Sequence, residues 1–225
     1  MDNENEIHCL DFGYVALTDA MGDDRTPART ARTSYRNADQ ERTEGQDARL
    51  TDYLIRNKHT TPLEFVQLRF YVKMPIFVAR QMIRHRTASV NEISYRYVQA
   101  CREFYVPTLD RMQRKADDNK QGSSSQIVDR PQLCSDVIRA TCNNAFDSYE
   151  MLLSLGLAPE LARTVLPLGT YTEWFQQWDM HNFLHMLNLR LDSHAQYEIR
   201  VYAQAMHDLV QRRFPTIIAS WGRNR

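Results

Sequence analysis

The chain has 225 residues, and its 28 basic and 28 acidic side chains cancel at neutral pH. That balance argues against a general nucleic-acid binder, whose affinity for phosphate demands a basic excess. With 43% hydrophobic residues the chain can fill the core of a single domain. No apolar run approaches the ~18 residues of a membrane-crossing helix, so neither a membrane nor a nucleic acid is expected as a partner and the cytoplasm is the expected location.

In chain order, the first periodic stretch is Leu50, Tyr53, Leu54 and Asn57, which share one face of a short helix. Val66, Leu68, Phe70 and Val72 then alternate with Gln67, Arg69, Tyr71 and Lys73, the two-residue period of a half-buried strand. Pro75 suits the first turn of a helix running through Ile76, Phe77, Val78 and Met82 to about Arg84. From Arg111 to Pro131 the chain is polar, and this stretch reads as a flexible surface loop. Beyond it Leu133, Val137, Thr141, Ala145, Ser148 and Leu152 recur at near-helical spacing, and Pro159 opens a further short helix. Tyr171 to Trp178 is an aromatic-rich strand. Asp179 is placed to cap a helix with Phe183, Leu184, Leu187 and Leu191 on its apolar side. The last helix, about Ala195 to Phe214, buries Ile199, Tyr202, Met206 and Leu209 and stops at Pro215. Without a regular βαβ rhythm, the expected class is α+β: mixed helices around a small, mainly antiparallel sheet, in one domain spanning residues 1–225.

Seven glycines and no GxGxxG or Walker pattern leave any nucleotide cofactor to be held by side chains and helix ends. All but four of the 28 basic residues are Arg, the planar donor suited to phosphates and carboxylates, although compositional bias gives the same excess. The densest polar run lies between Gln81 and Tyr97. It holds three Arg, His85, two Ser, Asn91 and Glu92: many donors, few acceptors. That suits a ligand bearing phosphates and carbonyls; the bland alternative is a surface turn laced with Arg–Glu pairs. Gln81 and Arg84 are one turn apart and are expected to share a helix face.

Arg84-His85-Arg86 followed after seven residues by Ser94, extended through Asn91-Glu92 to Arg96-Tyr97, resembles the signature of the flavin-dependent thymidylate synthases. His59-Thr60-Thr61-Pro62-Leu63-Glu64, Ala162-Arg163-Thr164-Val165-Leu166-Pro167, and Asn188-Leu189-Arg190 with Asp192-Ser193-His194-Ala195-Gln196 and Glu198 resemble three further blocks of that family. The resemblance runs from about Ala31 to Arg200 and is weakest in the 111–131 stretch. It implies a homotetramer with FAD at subunit junctions. The reaction implied is conversion of dUMP to dTMP, with carbon from 5,10-methylenetetrahydrofolate and hydride from reduced flavin recharged by NADPH. It further implies that Ser34, His59, Thr61, Arg84, His85, Arg86 and Glu92 lie against FAD. Gln81, Arg84, Glu92, Ser94, Tyr95, Arg96, Arg163 and Arg190 would surround the nucleotide. Phosphate would be met by Ser94, Arg96 and Arg163. Cations at Arg84 and His85 would steady the electron-rich reduced ring. Arg190 would favour the ionised pyrimidine imide and so is the expected catalytic residue.

The chain departs from that family at Asp179, His181 and His185, which are still expected near FAD. His181 and His185 stand four apart, a spacing that can bind metal with His194 or Asp179 as third ligand. The His-Glu-x-x-His pattern is absent, however, and no metal is expected. Trp174, Phe175 and Trp178 could stack on a cofactor ring but read more naturally as core or subunit-interface residues. None of Cys9, Cys101, Cys134 and Cys142 lies in a matching block, so no Cys nucleophile is expected. Two other classes stay open on residue chemistry alone. One is a nucleotide- or RNA-binding module using the Arg cluster, and the other is a metal-dependent hydrolase built on His181, His185 and His194.

Overall fold

The chain folds around a five-stranded antiparallel sheet packed by helices. The structure is a computed structural model that describes residues 3–36, 41–117 and 122–225. Strands β1 (Glu6–Cys9) and β2 (Gly13–Met21) form an opening hairpin. A Cβ at Gly13 would lie 1.9 Å from the Tyr202 hydroxyl, so only glycine lets a helix approach here. Helices α1 (Thr26–Arg32) and α2 (Glu44–Arg56) follow. In a capping box at the start of α2, Thr43 accepts from the Gln46 backbone and the Gln46 side chain returns to the Thr43 backbone.

Strand β3 (Gln67–Pro75) runs into α3 (Ile76–Met82), then the edge strand β4 (Ser89–Glu92), then a small pair, β5 (Gln113–Lys115) and β6 (Ser123–Ile127). Helices α4 (Pro131–Ser154) and α5 (Pro159–Ala162) lead to β7 (Tyr171–Asp179), α6 (Met180–Arg190), α7 (Tyr197–Arg213) and α8 (Pro215–Asn224). The main sheet has the order β1-β2-β3-β7-β4 and is antiparallel at every pairing, with β3 matched to β7 from Gln67↔Asp179 to Pro75↔Tyr171. The chain is thus a single α+β domain, as its pattern of elements implies.

The core explains the strand periodicity. Val66, Leu68, Phe70 and Val72 are fully buried on one face of β3, and Trp174 and Trp178 of β7 join them. Phe70 stacks on Phe183 of α6 at 5.7 Å between ring centroids, and Tyr202, Met206 and Phe214 close the layer from α7. Each such side chain contributes about 1.5–3 kcal/mol by leaving water. Trp174 and Trp178 are therefore core residues, whereas Phe175, on the opposite face of β7, is exposed.

Four expectations are corrected or extended. Pro215 does not end the helical region: it occupies the first turn of α8, where its missing N–H costs nothing, and Ile217, Ile218 and Trp221 are buried beyond it. Pro75 is the N-cap of α3, which ends at Met82, so Arg84 stands in the following turn and shares no helix face with Gln81. The 111–131 stretch contains the β5–β6 pair, while 118–121 lie outside the described residues. Finally, α4 buries Ser135, Cys142, Phe146 and Tyr149. At ~100° per residue, that face is roughly opposite the one carrying Leu133 and Val137, which are exposed along with Met151 and Leu155. No helix among the described residues is long and apolar enough to cross a membrane.

Candidate active site

The Arg84-His85-Arg86 segment occupies the turn between α3 and β4. That turn is tied down by backbone bonds from Ile83 to Ala79, His85 to Met82 and Ala88 to His85. Its other wall is α6. Asp179 starts that helix by accepting from the Asn182 backbone at 2.9 Å and the Asn182 side chain at 2.7 Å. The helix then runs back so that Arg190, in its last turn, meets the end of α3. Arg190 Nε donates to His85 Nε2 at 2.9 Å, and Arg190 Nη2 donates to the Gln81 carbonyl at 3.1 Å. Gln81 also donates through its side-chain amide to Gln196, at the N-terminal boundary of α7. Two segments about a hundred residues apart in sequence, the end of α3 with its following turn and the end of α6, thus meet at one guanidinium group, and Gln196 braces Gln81 from the start of α7.

The His85 ring is half-buried and sits edge-on to Trp178, 5.9 Å between centroids. Burial first, then the neighbouring Arg190 charge, lowers its pKa to about 4. The expectation of a cationic His85 is therefore overturned. A ring that accepts from a donor-only guanidinium has a bare Nε2 and is neutral. Burial lowers the Arg190 pKa as well.

Strand β4 carries Glu92 along the edge of β7, and the turn that follows it carries Ser94, Tyr95, Arg96 and Tyr97. Glu92 accepts from the buried Thr172 hydroxyl at 2.6 Å. The Tyr95 hydroxyl donates to the Tyr171 carbonyl, and burial pushes its pKa well up. Ser94 Oγ accepts from Arg96 Nε at 3.3 Å, and the Arg96 guanidinium lies 5.2 Å from the Tyr97 ring centroid. Arg84, Arg86 and Arg96 are exposed.

A cleft of about 330 Å³ opens on another side of α6, with His59, Thr60, His181, His185 and Asn188 on its polar walls and Leu54, Leu63 and Trp221 among its apolar ones. His59 stands edge-on to Tyr53 at 5.7 Å. Thr61 and Ser34 are exposed on short 3-10 turns, Thr61–Phe65 and Thr33–Tyr35; the first packs against both α1 and α6, and the second continues from α1. The structure thus joins His59, His181 and His185 in one cleft, and Gln81, His85 and Arg190 in one cluster. His194 lines a different cleft, with Arg111, Lys115 and Arg200. Among the described residues no three His, Cys, Asp or Glu side chains are grouped as for a metal ion. Arg163 is not joined to these groups. It is exposed on the turn after α5, its Nε donating to the Glu160 carbonyl at 3.4 Å.

Sequence reasoning passed over Gln196, although it stands in a quoted block, and over Trp178 as the His85 neighbour. It also missed the α8 residues Trp221, Asn224 and Arg225 of the cleft. The apolar pair Ile217-Ile218 with Trp221 just past Pro215 was the available signal for α8.

These features define an antiparallel α+β protein whose site is built from Arg, His and helix ends in place of a glycine-rich phosphate loop. The family described as "Thymidylate synthase complementing protein" matches residues 16–216. The flavin-dependent thymidylate synthase of Thermus thermophilus is 47% identical over 221 residues, 98% of this chain and 80% of that protein. That of Ehrlichia ruminantium is 43% identical over 217 residues, 96% of this chain and 72% of that protein. A crystal structure of the UMP/dUMP methylase PolB from Streptomyces cacaoi, bound with 5-Br dUMP, superposes with a TM-score of 0.88 at 30% identity, covering 96% of this chain and 97% of that one. The chain belongs to the flavin-dependent thymidylate synthase family.

Proposed function

We propose that this chain converts dUMP to dTMP, with 5,10-methylenetetrahydrofolate as carbon donor, FADH2 as hydride donor and NADPH to regenerate it, in a homotetramer whose active sites lie at subunit junctions. The observation that carries the reading is the fixed Arg190 guanidinium. Two of its five N–H groups are held by His85 and Gln81, and no described residue accepts from the other three. They are available to the imide edge of a pyrimidine.

The donor set fits a flavin nucleotide. His59, His181, His185 and Asn188 offer hydrogen bonds around an apolar floor, and Arg84 and Arg86 stand exposed at the α3–β4 turn. A cleft of this size takes part of a dinucleotide. With Ser34, Thr61 and Glu92 these residues would hold FAD, whose reduced ring supplies a hydride when bound. Asp179 serves α6 as its cap, a role compatible with shaping the cleft wall.

The protein's own work is binding and activation. Ser94, Arg96 and Arg163 are donors for the nucleotide phosphate. Gln81, Tyr95 and Glu92 flank the same ligand, with Glu92 fixed by Thr172 and Tyr95 by the Tyr171 carbonyl. Arg190 favours loss of the N3 proton from the uracil ring, because an opposite charge lowers an acid's pKa. The electron-rich ring then attacks the methylene carbon through C5 as one of that carbon's two bonds to the folate nitrogens breaks, its electron pair staying on nitrogen, and the C5 proton is lost afterwards, with no Cys adduct. Cys9 and Cys142 are buried, and burial pushes the Cys9 thiol up to about 12, whereas Cys101 is exposed and Cys134 half-buried, so for these two the reading rests on their lying outside the matching blocks.

Arg163 supports the assembly. It stands apart from Arg190 within one chain, beside exposed Leu161 and Val165, and α4 separately exposes Leu133, Val137 and Met151. An apolar surface of this kind is suited to a subunit contact, and a partner would then bring Arg163 to the site. Tritium release from 5-tritiated dUMP by the FAD-loaded protein, with NADPH and methylenetetrahydrofolate, tests the reading. Arg190→Ala should keep its flavin and lose most turnover; normal turnover in that variant would remove Arg190 from the chemistry.

A further inference from the structure

We infer that His85 is a positioning residue for Arg190: its bare Nε2 anchors the guanidinium Nε–H and so aims the remaining N–H groups at the substrate. This rests on the assignment of Arg190 to the pyrimidine and goes beyond any contact of His85 with flavin.

The argument is one of donor and acceptor count. Arg donates through every nitrogen and accepts through none, so the 2.9 Å contact from Arg190 Nε fixes His85 as the acceptor. The ring proton is then on Nδ1. A protonated ring would present N–H to N–H and two like charges, and the contact would break. The surroundings maintain the neutral form. The ring is half-buried, Trp178 packs against it edge-on, and the adjacent guanidinium opposes a second positive charge.

The second anchor is the Gln81 carbonyl, 3.1 Å from Nη2. It lies in the last turn of α3, where it also accepts from the Arg84 backbone N–H at 3.4 Å and where the helix end is electronegative. Held at Nε and Nη2, the guanidinium cannot turn about its long stem. An Arg side chain otherwise samples many rotamers, and a catalytic donor must stay within a fraction of an ångström of its target. The anchoring also explains why this position is occupied by His: the acceptor must be neutral, because a carboxylate there would neutralise Arg190 and weaken its pull on the imide.

The test compares three FAD-loaded variants. His85→Leu removes the acceptor. His85→Gln returns an amide oxygen near the place of Nε2, and His85→Asn puts one near the place of Nδ1. Three quantities are measured: flavin content, tritium release from 5-tritiated dUMP, and the ultraviolet difference spectrum of bound 5-bromo-dUMP at fixed pH, which reports the ionised fraction of its imide. We expect His85→Leu to keep flavin, to lose about 10- to 100-fold in kcat, the scale of one hydrogen bond to a charged group, and to bind 5-bromo-dUMP with less imide ionised. Gln should recover most of both losses and Asn little. Should Leu fail to fold, the Gln–Asn pair alone decides, since the two differ only in where the oxygen stands. Equal Gln and Asn rates, or an unchanged 5-bromo-dUMP spectrum in His85→Leu, overturn the positioning role. So does a kcat loss that follows flavin loss in proportion. Normal turnover by Arg190→Ala would instead overturn the role of Arg190 itself, and the positioning role with it.

Discussion

Asp47, buried on α2, lies 2.6 Å from the Arg32 guanidinium at the end of α1. Arg25, just before α1, reaches the other carboxylate oxygen through Nε, also at 2.6 Å. One carboxylate therefore clips both ends of α1 to α2 and sets the turn that carries Ser34. Burial alone would raise the Asp47 pKa, but the two guanidinium groups outweigh it and hold the carboxyl below the usual carboxylate value.

Replacing Asp47 with Ala leaves two facing cations without their anion and should cost about 3 kcal/mol. This is the low end of the range for breaking a buried pair, because Arg25 keeps a third of its side chain exposed. Urea denaturation of the FAD-free protein measures it, and a change below about 1 kcal/mol would deny the clip its importance. The sign of the pH effect follows from the depressed pKa. Between the folded value and the unfolded value of about 3.9, the unfolded chain binds more protons. The contribution is complete above about pH 5 and is lost as pH falls through the folded pKa.

Arg84→Ala should release FAD while leaving the fold intact, because Arg84 is exposed at the α3–β4 turn and packs into no core. Flavin absorbance after gel filtration reads the occupancy directly. Full occupancy would remove Arg84 from the flavin contacts.

The separation of Arg163 from Arg190 within one chain yields a complementation experiment. Under the proposed assembly, the Arg163→Ala and Arg190→Ala proteins should each be nearly inactive. Mixed and reassembled, they should regain a fraction of wild-type turnover, because some junctions combine an intact Arg163 with an intact Arg190. Mixtures no more active than their parents would place both residues in one protomer's site.

The α4 surface gives a test of assembly. Glu in place of Leu133 and Val137, both exposed on the chain, should leave secondary structure unchanged by circular dichroism and lower the mass measured by light scattering. A mass equal to that of the unmodified protein in that double variant would assign the face to solvent.

A protein with all four Cys replaced by Ser or Ala should still turn over when loaded with FAD. Buried Cys9 and Cys142 favour Ala, which avoids an unsatisfied hydroxyl in the core. An inactive but folded, flavin-loaded Cys-free protein would restore a covalent thiol mechanism.

The strand at 67–75 was legible because one face of β3 is buried against helices and the other is not, and that asymmetry enforces a two-residue period. The cap at Asp179 was legible because capping is local chemistry. The α4 helix was legible from its period, but its covered face was not: periodicity reports that a face is apolar, without saying which neighbour covers it. Leu133 and Val137 point away from the chain's own core, which takes Phe146 and Tyr149. The stop of α7 before Pro215 was legible, but the helix that Pro215 opens was not, because a proline that ends one helix is indistinguishable, residue by residue, from one that begins the next.

The sequence alone determined the types of the strongly periodic elements, the α+β class and the inventory of donors, since hydrophobic period, capping and fixed motif spacing act over a few residues; it did not reveal β1, β2, α1, the β5–β6 pair or α8. The charge state of His85 required the fold. A pKa depends on burial and on charges brought near in space, and Arg190 reaches His85 only after α6 has run back from β7 to the end of α3. The separation of Arg163 from that cluster was decided the same way, by tertiary packing of α5 against α4.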